Sequence, residues 1–134
     1  VSETGLPLTF ASLRQQQEWD DPRLSDGMKA IVMDAANYAF VTWGWLLCLT
    51  SIFRTYEENV VAEAKTTIHC VWRAVDVRTR TAEQDWIDAL TAYVNKGWAY
   101  DPERPSLPVA YSAPHGDGPH LHLQIHAHTV RRDA

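Results

Sequence analysis

The residues best suited to chemistry lie in one short stretch, Pro119-His120-Leu121-His122-Leu123-Gln124-Ile125-His126-Ala127-His128. It alternates without a break. Leu121, Leu123, Ile125 and Ala127 fall on one side, and His120, His122, Gln124, His126 and His128 on the other. Period-two alternation predicts a β-strand with one face on a core. The other face then carries a row of imidazoles. Imidazole is the commonest metal ligand and the usual proton carrier near neutral pH. A metal site and a solvated histidine row are both compatible with this stretch alone. A second pair, His69 and Asp76, stands upstream, seven residues apart. On one straight strand these two would point to opposite faces and lie more than about 20 Å apart, at about 3.3 Å per residue. They can share an ion only if His69 sits on a loop that folds back onto the strand bearing Asp76. Thr66 and Thr67, just before it, suit such a loop.

Around these residues the chain reads as an α+β domain. Ser25 or Asp26 can cap a helix in which Met28, Ile31, Val32, Ala35, Ala39 and Phe40 recur at helical spacing. Trp43-Gly44 breaks that pattern, and Trp45 to Ile52 reads as a buried strand. Arg54-Thr55 leads into a polar stretch, Tyr56 to Lys65, which is a short helix or a loop. Thr66 to Arg80, with Val71, Val75 and Val77, suggests extended structure. Thr81 and Gln84 have capping-box spacing for a helix whose buried stripe is Trp86, Ala89, Leu90, Tyr93 and Val94 and which ends near Gly97. Asp101 to Pro108 holds three prolines and reads as a loop. Val109 to Ser112 is a short strand, and His115-Gly116-Asp117-Gly118 turns the chain into the histidine strand. This order implies a small antiparallel sheet covered on one side by two helices. Residues 24–128 would form the core, residues 1–23 a polar arm with helix within Phe10 to Trp19, and residues 129–134 a basic tail.

At 134 residues the chain is expected to be one domain, large enough to bury a proper core. Hydrophobic residues make up 46% and charged residues 22%, ordinary values for a soluble globular protein. A net charge of −5 argues against a nucleic-acid-binding surface, although Arg78, Arg80, Arg131 and Arg132 could form local patches. The longest apolar run, Trp43 to Thr50, is too short to cross a membrane. Cys48 and Cys70 are too few for a disulfide framework and sit in apolar runs, where buried free thiols are expected. No secretory signal pattern is visible.

Three separated segments resemble a known family. They are Leu49-Thr50-Ser51-Ile52-Phe53-Arg54-Thr55, then Thr67-Ile68-His69-Cys70-Val71-Trp72-Arg73-Ala74-Val75-Asp76, then His120-Leu121-His122. In that order they resemble the zinc D-Ala-D-Ala carboxypeptidases and L-Ala-D-Glu endopeptidases that cut peptidoglycan stem peptides, a group related to the hedgehog fold. Those proteins carry Ser-x-x-Arg-Ser/Thr at the end of a strand, then Ser-x-His-x-x-Gly-x-Ala-x-Asp, and later His-x-His or Asp/Glu-x-x-His. The resemblance covers roughly residues 25 to 128. Thr67 replaces the usual Ser, and Trp72 replaces the Gly, where it would narrow the cleft or give it an aromatic wall.

The resemblance implies a hedgehog-like fold holding Zn²⁺, with His69 and Asp76 as ligands. In the His-x-His branch His122 is the third ligand and His120 assists catalysis. In the alternative branch, Asp117-Gly118-Pro119-His120, His120 binds the metal and Asp117 is the base. The first is favoured because residues two apart on a strand share a face. Arg54 stands in the family's position for gripping a substrate carboxylate through its planar fork. Two neutral imidazoles and one carboxylate leave tetrahedral Zn²⁺ an open position for water, as catalytic sites do. Such a site lowers the pKa of water toward about 7 and polarises a carbonyl, while His120 or Asp117 carries the proton to the leaving amine. His115 would support a ligand or the substrate, Arg73 or Arg78 would neutralise Asp76 or face solvent, and His126 and His128 would line the solvated end of the strand. The implied protein is a monomeric hydrolase of cell-wall peptides with no nucleic-acid or membrane partner. It would be made in the cytoplasm and act on the wall as a phage lysis or virion component.

Overall fold

In a computed structural model that describes residues 5–62, 66–113 and 119–132, the site rests on a five-stranded sheet of order β1-β2-β3-β6-β5. The strands are β1 (Leu8–Phe10), β2 (Leu47–Ser51), β3 (Ala74–Arg78), β5 (Ala110–Ala113) and β6 (His120–Gln124). Two further strands, β4 (Trp98–Ala99) and β7 (Val130–Arg131), pair as a small antiparallel sheet. The helices are α1 (Leu13–Trp19), α2 (Asp26–Trp43), α3 (Tyr56–Val61) and α4 (Gln84–Gly97). A single 3₁₀ turn spans Ile68–Val71.

The α+β class agrees with the sequence reading, but the sheet is mixed and not purely antiparallel, because β1 runs parallel to β2. At three residues β1 is too short for alternation to announce it. The polar arm still contributes to the core: Leu8 is buried, and so is Trp19 at the end of α1. Likewise part of the basic tail is structured. Val130–Arg131 pairs with Trp98–Ala99, and the Arg131 guanidinium lies over the Trp98 ring, 5.2 Å from its centroid.

The apolar face of the sheet packs under α2 and α4. Val75, Val77, Leu121 and Leu123 alternate on β3 and β6 and are fully buried, with Leu47 and Leu49 of β2 and Met28, Ile31 and Val32 of α2. Each such side chain contributes about 1.5–3 kcal/mol relative to exposure. The two helices meet through stacked Tyr38 and Tyr93 rings 3.8 Å apart. Asp34 of α2 accepts hydrogen bonds from Tyr93 Oη (2.7 Å) and Trp98 Nε1 (3.0 Å). Trp43, Trp45 and Trp86 cluster beside them.

Helix ends follow local chemistry. Ser25, not Asp26, is the N-cap of α2, its Oγ accepting from the Met28 N–H at 3.1 Å. Gly44 closes the helix at φ 68°, a left-handed conformation that a side chain would strain. The polar stretch after Arg54 is a helix, α3, held by a reciprocal capping box between Thr55 and Glu58. The box expected at Thr81 does not form. Ala82 N–H bonds Thr79 O in a preceding turn (3.0 Å), so α4 starts two residues later with Glu83 as a cap that makes no side-chain bond.

Residues 66–80 are not one extended segment, since β3 begins only at Ala74 and the 3₁₀ turn comes before it. The histidine strand also ends earlier than its alternation suggests: beyond Gln124 the chain turns, and Thr129 N–H closes onto His126 O at 3.0 Å. Cys48 and Cys70 are free thiols, each half-buried and not fully so. Among the described residues no helix is long and apolar enough to cross a membrane.

Candidate metal centre

Asp76 is the hub of the site. It lies in β3 directly across from His122 of β6, so antiparallel register alone brings those two side chains together. His69 arrives by a different route. The 3₁₀ turn ends at Trp72, whose φ of 62° and ψ of 31° are left-handed, and this reverses the chain onto the start of β3. Arg73 N–H bonds Ile68 O at 3.1 Å, and the Ile125 N–H bonds Arg73 O at 2.9 Å, which ties the reversed turn to the end of β6. The fold-back that the His69–Asp76 spacing demands is therefore present. Trp72 adopts the conformation that favours glycine.

Within the site, His69 Nε2 and His122 Nδ1 both lie 3.1 Å from the same oxygen, Asp76 Oδ1. All three residues are buried, at 2%, 2% and 4% exposure for His69, Asp76 and His122. The outer nitrogen of each ring has its own partner. His69 Nδ1 faces the Ile52 carbonyl at 3.1 Å, and a carbonyl can only accept, so the proton of the neutral ring is on Nδ1. His122 Nε2 faces Gln124 Oε1 at 3.2 Å, and that amide is oriented because Gln124 Nε2 donates to Pro108 O at 2.8 Å. The proton of neutral His122 is thus on Nε2. Both inner nitrogens then present lone pairs to a carboxylate oxygen that is itself an acceptor. Three acceptors this close need positive charge among them, as added protons or as a metal ion.

This is also how metal-ligating histidines are supported, each donating its outer N–H to a carbonyl or an amide so that tautomer and ring orientation are fixed. The three donor atoms lie within 4.8 Å of one another. With the added protons on those rings, burial pushes the Asp76 carboxyl up, but hydrogen bonds from His122 and His69 and the charges of His69 and His120 outweigh burial and hold it well below the usual carboxylate range.

Arg54, just beyond β2, contacts the other oxygen, donating from Nη2 to Asp76 Oδ2 at 2.7 Å. It, and neither Arg73 nor Arg78, is the cation paired with this carboxylate among the described residues. His120 Nε2 lies 3.4 Å from the same Oδ2. His120, Arg54 and Asp76 line an open groove of about 770 Å³. His120 therefore meets the groove side of Asp76, and His69 and His122 bracket its other oxygen. Asp117 and His115 lie outside the described residues.

His126 and His128 do not extend the row, because the strand has ended. They sit in the following turn, near Asp101 of the loop after β4, a second grouping of ligand-type residues. Two neighbours of the site were not singled out by their sequence. Gln124 shares the histidine face by simple alternation, and nothing in the type of an amide there shows that Pro108 O will orient it toward His122. Tyr111 of β5 stands opposite His122, its ring 4.7 Å away. Its hydroxyl pKa is raised, first by burial and then by the charge of Asp76. β5 is held in place by Asn95 of α4, whose Oδ1 accepts from the Val109 and Ala110 N–H groups at 2.9 Å each.

No family model, curated protein or solved structure matches this chain. The candidate site stands on its own geometry.

Proposed function

We propose that the chain is a zinc-dependent peptidase that hydrolyses peptide bonds of peptidoglycan stem peptides, with His69, Asp76 and His122 as the metal ligands. The observation that carries this reading is the convergence of His69 Nε2 and His122 Nδ1 on Asp76 Oδ1 while both outer ring nitrogens are committed elsewhere. Two imidazoles and a carboxylate suit Zn²⁺ and match the donor set of catalytic zinc, which keeps a further position open. When bound, Zn²⁺ supplies a Lewis acid that activates water and polarises a carbonyl.

The chain's own groups supply the rest. His120 faces the groove beside Asp76 and is placed to take a proton from the attacking water and return it to the leaving amine. Arg54 commits Nη2 to Asp76 and opens on the same groove, where its remaining N–H groups can receive a substrate carboxylate. Ile52 O and Gln124 Oε1 hold the two ligand rings, so the metal-binding geometry needs little rearrangement.

A second reading keeps the metal but not the reaction: a domain that only binds a wall peptide or a partner. The burial of all three ligands favours it. Protein purified without an affinity tag distinguishes the two readings when it is incubated with muropeptides from several wall chemotypes. Hydrolysis that a chelator abolishes and Zn²⁺ restores supports the peptidase. Bound metal with no hydrolysis on any substrate supports the binding domain, and absence of metal at micromolar Zn²⁺ refutes both.

A further inference from the structure

The groove beside the candidate centre is richer in guanidinium groups than its chain would suggest. The net charge is −5, yet Arg14, Arg54, Arg78 and Arg80 all line this one surface. Two of them are occupied: Arg14 pairs with Glu18 and Glu58, and Arg54 with Asp76. Arg78 and Arg80 have no carboxylate within ion-pair reach among the described residues, and Glu57 is the one lining carboxylate outside those pairs. A guanidinium cannot shed its charge, so these two stay cationic inside a concave surface.

Their placement is ordered along the site. Arg78 follows Asp76 by two residues on β3, which puts it on the same face, opposite His120 in the pairing with β6. Two strand residues span about 7 Å, the length of about two residues of an extended peptide.

We propose that Arg78 and Arg80 form an anion subsite that receives a side-chain or terminal carboxylate of an extended peptide, about two residues from the bond presented to Asp76 and His120. This rests on the peptidase reading and narrows it to acidic peptides, with a second carboxylate contact separate from the one at Arg54. Charge-assisted hydrogen bonds from a guanidinium fork make that contact selective for a carboxylate over its amide.

The test compares zinc-loaded full-length protein with the double variant Arg78→Gln/Arg80→Gln, using paired wall peptides that differ only in a free carboxylate or its primary amide. Arg80 is exposed and Arg78 half-buried, so circular dichroism is expected to show an unchanged fold. Wild type is expected to favour the acid by about tenfold in KM. In the double variant the two peptides are expected to converge to one KM. Calorimetric binding of the same pair separates this claim from the peptidase reading. An acid preference in binding that vanishes in the variant supports the subsite even with no turnover. A wild type indifferent to amidation, or a variant that keeps the preference, overturns the subsite even where hydrolysis is found.

Discussion

Substituting Trp72 should invert the usual ranking of alanine and glycine. Trp72 is the one non-glycine residue with positive φ among the described residues. An L-residue in this conformation costs about 1–2 kcal/mol. The side chain offsets that cost. The indole is 7% exposed, stacks on Phe53 at 4.7 Å and 17°, and lies under the Arg23 guanidinium at 4.6 Å. Truncating a buried aromatic of this size costs about 3–5 kcal/mol. Trp72→Ala loses the packing and keeps the strain. Trp72→Gly loses the same packing but relieves the strain, against a glycine entropy cost of about 0.5–1 kcal/mol. Both variants are therefore expected to be less stable than wild type, with the glycine variant the more stable of the two by about 0.5–1 kcal/mol. Urea unfolding followed by far-ultraviolet circular dichroism measures this, provided the slopes m agree so that midpoints compare directly. An alanine variant as stable as the glycine variant, or more so, would refute the claim that left-handed backbone at this position turns the chain back to deliver His69.

Two further outcomes follow from the same geometry. Gln124→Leu removes the acceptor that holds His122 Nε2, and zinc affinity measured by competition with a chromophoric chelator is expected to fall at least about tenfold; unchanged affinity would show that the ring needs no such support. The Glu58 carboxyl is held down to about 2 by the Arg14 guanidinium and the Thr55 N–H. Because this pKa is depressed, its stabilisation of α3 is fully present above the ordinary value of 4.5 and is lost as pH falls toward 2. Glu58→Gln should therefore flatten the acid limb of the stability curve, and an acid limb identical to that of wild type would contradict the assignment.

Much of this was legible in the chain, and the failures have physical causes. Alternation located β6 and put Gln124 and the two histidines on one face, and the spacing of His69 and Asp76 required a fold-back. What produces the fold-back was not legible, because the left-handed position carries tryptophan where a glycine would have marked it. Val71 drew residues 66–80 toward an extended reading, yet in the structure it sits exposed on the 3₁₀ turn. Thr81 and Gln84 have capping-box spacing yet form no box, because α4 starts only at Gln84 with Glu83 as its cap. The box that does form, Thr55 with Glu58, heads a polar stretch whose residues left helix and loop both open. Strands β1, β4 and β7 have two or three residues each and exist only through pairing partners far along the chain.

The assignment of the centre is tested most directly by the zinc content of untagged protein carrying His122→Ala or His120→Ala, measured by mass spectrometry after equilibration with micromolar Zn²⁺. The account predicts about one zinc per chain in wild type, retention in His120→Ala and loss in His122→Ala. Zinc kept without His122 and lost without His120 would contradict it, moving the third ligand to His120.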